Sequence, residues 1–224
     1  MPIASQFLEF ALQCGALAFG DFTTKSGRKT PYFFNAGRFD RGSSLGKLAR
    51  FYARTLIDAR ADGRARFDML FGPAYKGITL ASSTAVALAE LDLDVPFSFN
   101  RKETKDHGEG GDLVGAPLRG RVMIIDDVIT DGAAKREALE MIRAHGAQPA
   151  GVAIMLDRME RGAGNGERDG RSAVRAFEED TGVPVIAIAD LNDLVDLLGS
   201  DSPVAAPLRG HLPSIQAYRK QYGA

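Results

Sequence analysis

One cysteine, Cys14, is present in 224 residues. Its solitude excludes an intrachain disulfide and a metal cluster built from cysteines. It falls in an N-terminal apolar helical pattern and reads as a small core residue. An excess of one charge is also lacking: 28 basic side chains stand against 29 acidic ones, a formal net charge of −1. Nothing in that balance points to nucleic acid or to an anionic membrane surface as a partner. No apolar run reaches the roughly 20 residues that a membrane span needs. The opening Met1-Pro2-Ile3-Ala4-Ser5-Gln6 has no basic signal-peptide start. A cytoplasmic protein is therefore expected. A Walker A phosphate loop is missing as well, since Gly46-Lys47 lacks both the earlier glycine and the following hydroxyl.

What remains is ordinary globular material, 45% hydrophobic and 25% charged. The length suits one α/β domain over residues 1–224, with at most a small appended lobe. Phe7, Leu8, Phe10, Ala11 and Cys14 recur at helical spacing, with Gly15 as a stop. Ala16–Thr23 and Thr30–Asn35 read as two strands around a Ser26-Gly27 turn. Ser43 or Ser44 caps a helix carrying Leu45, Leu48, Ala49, Tyr52 and Leu56. Strands then alternate with helices. The strands are expected at Phe67–Phe71, Val95–Asn100, Val122–Asp126, Gly151–Leu156 and Val183–Ala189. The helices are expected at Ile78–Leu91, from Ala133 to near Gly146, over most of Glu167–Thr181, at Asp190–Leu198 and at Ser214–Tyr222. That alternation implies a mainly parallel sheet covered by helices on both faces, with the N-terminal helix and hairpin as a small lobe over it.

The most informative stretch is Val122-Met123-Ile124-Ile125-Asp126-Asp127-Val128-Ile129-Thr130-Asp131-Gly132-Ala133-Ala134. A β-branched apolar run is a buried parallel strand. It ends in two carboxylates, followed by a small-residue loop and a helix start. The carboxylates can hold ribose hydroxyls or a hydrated Mg²⁺, and helix-terminal amides can hold a phosphate. Without a Walker A loop this is not the acidic strand of an ATPase. A solvated acidic turn is the plain alternative, but adjacent charges beside a core are costly unless something binds them.

Two other loops fall at expected strand ends, where α/β sheets bind ligands. Gly72-Pro73-Ala74-Tyr75-Lys76-Gly77 can bind a diphosphate through its amides and Lys76, or be an ordinary βα turn. Arg101–Ala116 holds Arg101, Lys102, Lys105, His107 and several glycines, without apolar periodicity. It reads either as solvated surface or as a structureless lid that closes on an anion. Arg158–Arg171 reads as a plain solvated loop, except for Arg158 at its strand end.

These segments together resemble bacterial orotate phosphoribosyltransferases of the type I phosphoribosyltransferase family. The resemblance is carried by Gly72–Ile78, by Asn100-Arg101-Lys102-Glu103-Thr104-Lys105-Asp106-His107-Gly108-Glu109-Gly110-Gly111, by Val122–Thr130 and by Leu156-Asp157-Arg158. Phe22-Thr23-Thr24-Lys25-Ser26-Gly27 and Tyr32-Phe33-Phe34-Asn35 fit the family's N-terminal hood, here about residues 1–40. It implies a type I phosphoribosyltransferase fold. The implied reaction transfers ribose 5-phosphate from 5-phosphoribosyl 1-diphosphate (PRPP) to orotate with Mg²⁺, giving orotidine 5′-phosphate and diphosphate in de novo UMP synthesis. By resemblance, PRPP meets Lys25, Tyr75, Lys76, Arg101, Lys102, Lys105 and His107. Asp126 and Asp127 face the ribose, while Val128, Ile129, Thr130, Asp131, Gly132, Ala133 and Ala134 wrap the 5′-phosphate. Phe33 and Phe34 flank orotate, and Thr130 and Arg158 bind it. Lys105 is the expected main transition-state cation, and His107 a candidate acid on the diphosphate.

The resemblance further implies a homodimer in which the lid serves the neighbouring subunit's site. Mg²⁺ is expected mainly through PRPP oxygens and water, with no dedicated protein ligand. One departure stands out. The family loop usually reads Thr-Ala-Gly-Thr, where this chain has Thr130-Asp131-Gly132-Ala133. Asp131 is expected to turn away from the phosphate and cap the helix starting at Gly132. The alternatives are a PRPP-binding regulatory module on the same fold, or a phosphoribosyltransferase for another base.

Overall fold

The computed structural model describes residues 1–24, 27–105, 111–130, 132–161 and 170–224. Its main sheet has six strands: β3 (Met69–Gly72), β4 (Phe97–Lys105), β5 (Gly111–Gly115), β6 (Arg121–Ile125), β7 (Gln148–Asp157) and β8 (Val185–Asp190), in the order β5-β4-β3-β6-β7-β8. All neighbours are parallel except β4 and β5. A separate antiparallel pair is formed by β1 (Leu17–Thr23) and β2 (Lys29–Phe34).

The period-2 alternation of a strand explains why Val122–Ile125 is apolar throughout. Met123 and Ile125 join the larger core cluster, whereas Val122 and Ile124 join the smaller one on the opposite face. The larger cluster takes in α1 (Ile3–Gln13), α2 (Gly42–Ala61), α3 (Lys76–Ala89), α6 (Leu191–Gly199) and α7 (Leu212–Tyr222), through Phe7, Leu56, Leu88, Leu194 and Ile215 among others. The smaller cluster takes in α4 (Ala133–Ala144) and α5 (Ala173–Thr181), through Leu139, Ile142 and Phe177. Burying each such side chain contributes about 1.5–3 kcal/mol. Of the expected N-terminal lobe, β1 and β2 form the separate sheet. Helix α1 lies in the main core, with Phe7 edge-on to Phe51 at 5.6 Å.

One expectation is corrected. The described parts of Arg101–Ala116 are not structureless: Arg101–Lys105 extends β4, and Gly111–Gly115 pairs with it antiparallel as β5, while residues 106–110 lie outside the described residues. The ladder there is made by backbone groups along a sheet edge, with no fully buried residue in β5. Such a hairpin leaves no apolar periodicity to read. The helix expected over most of Glu167–Thr181 is present as Ala173–Thr181, entered through Ser172, whose side chain accepts from the Arg175 amide at 3.0 Å.

Candidate active site

Parallel strands end together, so β3, β6 and β7 deliver Gly72, Asp126 and Asp157-Arg158 to one edge of the sheet. The turn after β3 lies against the end of β6. A Cβ on Gly72 would run into the Gly77 carbonyl, and one on Gly77 would come within 2.9 Å of the Ile125 carbonyl oxygen. Glycine at both positions lets the turn and α3 sit beside the acidic pair. The Ala74–Tyr75 peptide bond is cis, and the Ala74 amide donates to Asn100 Oδ1 at 2.7 Å, tying this turn to β4.

The two carboxylates are neutralised from opposite sides. Asp127 Oδ2 lies 2.6 Å from Lys76 Nζ at the start of α3. Asp126 Oδ2 lies 2.6 Å from Lys135 Nζ in the first turn of α4. The remaining oxygens accept from the chain itself: Asp126 Oδ1 from the Asp127 amide at 2.9 Å, and Asp127 Oδ1 from the Val128 amide at 2.8 Å. Burial raises the Asp126 carboxyl above its ordinary value, and Lys135 pulls it back only in part. Beneath it, the buried Tyr52 hydroxyl donates to the Asp126 carbonyl at 2.7 Å.

At the end of β7, Arg158 is held under the hairpin. Its Nε donates to the Tyr32 hydroxyl at 3.3 Å, and its guanidinium lies 5.1 Å from the Tyr32 ring centroid. Its Nη2 is 2.8 Å from Glu160 Oε1. That approach is ionic only, since no acceptor lies along the buried Nη2 donors. The Tyr32 hydroxyl donates to the same Glu160 oxygen at 2.9 Å, and Arg28 reaches Glu160 Oε2 at 3.5 Å. Burial would lower Arg158, but Tyr32 and Glu160 outweigh it and the guanidinium keeps its proton.

The remaining expected site residues are spread around this edge. Tyr75 is 72% exposed. Lys102 and Thr130 are exposed, and Arg101 Nη1 donates to the Gly111 carbonyl at 3.5 Å. Ile129 is buried in the smaller core, so only its backbone faces the loop. Phe33 and Phe34 take opposite sides of β2. Phe33 is exposed beside Phe22, whereas Phe34 packs towards Phe7 and Phe39. Helix α4 has Gly132 at its N-cap, at φ 73°, with no side-chain cap. Lys25, His107 and Asp131 lie outside the described residues, as does the Lys105 side chain.

The model of the phosphoribosyl transferase domain family matches residues 38–178, which hold all three strand ends. An orotate phosphoribosyltransferase of Cronobacter sakazakii is 56% identical over 223 residues, 99% of each chain. One from Pseudomonas aeruginosa is 56% identical over 218 residues, covering 97% of this chain and 96% of its own. The chain belongs to the orotate phosphoribosyltransferase family. The crystal structure of the Francisella tularensis orotate phosphoribosyltransferase superposes with a TM-score of 0.83 at 35% identity, over 98% of this chain and all of that one.

Three side chains of this phosphoribosyltransferase site escape a reading by motif: Lys135, Glu160 and Tyr52. Lys135 leaves one signal, a cation beside Arg136 in the first turn of a helix, where the dipole disfavours positive charge. Glu160 lies in a stretch that reads as solvated loop, and Tyr52 repeats the apolar rhythm of α2. Neither leaves a signal in the sequence.

Proposed function

We propose that the protein transfers the 5-phosphoribosyl group of PRPP to orotate, giving orotidine 5′-phosphate and diphosphate in the synthesis of UMP. The observation that carries this reading is the shared sheet edge: an acidic pair faced by Lys76, with a half-buried guanidinium at the end of the adjacent strand β7. The family is that of relatives named for this activity. Neither a regulatory module nor another base is favoured.

In the reaction a ring nitrogen of orotate gives up its proton and bonds to the anomeric carbon. The bond from that carbon to the diphosphate oxygen breaks, and its electron pair leaves with the diphosphate. Positive charge gathers on the ribose ring, as in glycoside cleavage. Asp126 and Asp127 receive the ribose hydroxyls and offset that charge. Lys76 turns from Asp127 to the leaving diphosphate, joined by Lys25, Tyr75, Arg101, Lys102, Lys105 and His107. Lys105 carries most of the cationic stabilisation, and His107 protonates the diphosphate. The loop Val128–Ala134 and the start of α4 take the 5′-phosphate on backbone amides. Arg158 offers its unaligned Nη2 donors to the orotate carboxylate, with Thr130 beside it. The exposed Phe33 ring covers the base, and Phe34 contributes backbone only.

Mg²⁺ fits this site as a passenger of PRPP. No cluster of three or more His, Cys, Asp or Glu among the described residues could cage an ion. Mg²⁺ dehydrates reluctantly and keeps water and phosphate oxygens, so no side chain is assigned to it. Bound there, it neutralises charge on the leaving diphosphate. Two copies form the working unit, each lending the β4–β5 hairpin to its partner's site. The single free cysteine suits the reducing cytoplasm.

Incubation with PRPP, Mg²⁺ and orotate tests the reading. Orotate absorbance should fall only when all three are present. PRPP binding without loss of orotate would overturn the activity.

A further inference from the structure

Two carboxylates at the end of β6 suit a ribose site, but nothing in that reading requires a lysine buried against one of them. Lys135 is 7% exposed and sits in the first turn of α4. The place is unfavourable twice over. Helix-terminal amides repel a cation, and a buried ammonium is costly without a partner. The partner is Asp126 Oδ2 at 2.6 Å, with both side chains 9% exposed. Asp126 is gripped elsewhere too. Its Oδ1 accepts from the Asp127 amide, its carbonyl from Tyr52, and its amide donates to the Ala153 carbonyl at 3.0 Å.

Asp127 is held differently. Its partner, Lys76, has a side chain 63% exposed, in reach of solvent and of an arriving anion. One acid of the pair thus has an exchangeable counter-ion and the other a built-in one. We infer that Lys135 is a positioning residue of the ribose site: it clamps the Asp126 carboxylate in one orientation at the end of β6 and does not itself touch substrate. The inference rests on the ribose-binding reading of the acidic pair.

The physical reason is the cost of a buried charge. Without a cation a desolvated carboxylate takes up a proton, and a protonated carboxyl accepts hydroxyl hydrogen bonds poorly. The charged and titratable groups around Asp126 are Lys135 from α4, Tyr52 from α2, Asp127 beside it, and Lys76 from α3 across Asp127. Of these, Lys135 opposes the upward push of burial most strongly.

The test compares wild type with Lys135→Met, Asp126→Asn and the double variant. PRPP affinity is measured by calorimetry from weakly acidic to weakly alkaline pH, and KM and kcat by orotate consumption. Lys135→Met should weaken PRPP by about tenfold, the equivalent of one unit of pKa, while the orotate KM stays unchanged. Removing the cation raises the Asp126 carboxyl further, so the acid limb of PRPP binding should move to higher pH by about one unit. The double variant should bind PRPP no worse than Asp126→Asn alone. A lowered Tm with unchanged PRPP affinity and an unmoved acid limb would overturn the inference, as would additive losses in the double variant. If Lys135→Met does not fold, Lys135→Gln, which keeps a donor but no charge, makes the same comparison. The two readings fail separately. PRPP binding without orotate turnover defeats the proposed reaction, while the binding curves still decide the role of Lys135.

Discussion

Lys76 Nζ rests 2.6 Å from Asp127 Oδ2, so a cation assigned to the diphosphate is seated on a carboxylate assigned to the ribose. The two ligand-binding roles are therefore coupled before PRPP arrives. On the proposed roles, PRPP binding would exchange this ion pair for two new contacts and uncover the Asp127 side chain, 12% exposed, as Lys76 leaves it. A double-mutant cycle should show this. Lys76→Ala and Asp127→Asn should each lower kcat/KM for PRPP by about tenfold or more, and their combination should lose less than the product of the two. Strictly multiplicative losses would mean that the pair is incidental to PRPP binding.

Arg158 should govern orotate rather than PRPP. A charge-assisted contact to a desolvated carboxylate contributes about 1.5–3 kcal/mol, so Arg158→Ala should raise the orotate KM by about 10- to 100-fold. PRPP affinity should change little, and equal losses for both substrates would make Arg158 structural. Glu160→Gln should act mainly on stability. The pair is partly buried, with side chains 20% and 12% exposed, so its loss should cost less than the roughly 3–5 kcal/mol of a fully buried pair, and each kcal/mol lowers Tm by about 2–4 °C at this chain length. Calorimetry of the variant measures it directly.

Tyr52→Phe removes the hydroxyl that donates to the Asp126 carbonyl at 2.7 Å and nothing else. The loss of one buried hydrogen bond, with its acceptor left behind, costs about 1–3 kcal/mol. Tm should fall accordingly. Turnover should fall with it, because that carbonyl ends the strand on which the acidic pair stands. A variant that melts lower yet keeps full kcat would separate the carbonyl from catalysis.

Acid sensitivity has a source on the opposite edge of the sheet. Hydrogen bonds from Arg121 hold the Asp68 carboxyl down to about 2 from its ordinary 3.8. A carboxyl lowered by folding contributes stability at pH above its unfolded value and loses it as pH falls through the folded one. Asp68→Asn should therefore flatten the fall in Tm between about pH 4 and about pH 2, by a modest amount because the pair is exposed and screened. An unchanged acid limb would show that the pair contributes nothing in solution.

Sharing of the hairpin between subunits can be tested by mixing two inactive variants, Lys105→Ala and Asp127→Asn. In a two-fold dimer one site of the mixed species takes both lesions and the other takes none. With statistical exchange about half of the dimers are mixed, so about a quarter of wild-type activity should return. No recovery despite proven subunit exchange would mean that each hairpin serves its own subunit.

Local pattern determined most of the architecture by itself. Apolar runs such as Val122–Ile125 and Val152–Leu156 must be buried on both faces, and strands so built alternate with helices only in a parallel sheet. The acidic pair and Arg158 were legible because charge directly after a buried strand demands a partner. Tertiary structure alone decided who the partners are. Lys135 reaches Asp126 across the β6–α4 loop, Tyr52 arrives from 74 residues away, and Tyr32 from 126 residues away. The β4–β5 hairpin escaped for a different reason: its ladder is made of backbone groups, which every sequence carries equally. Periodicity records which face of an element is buried. It holds no record of which distant charge or hydroxyl the fold brings to that face.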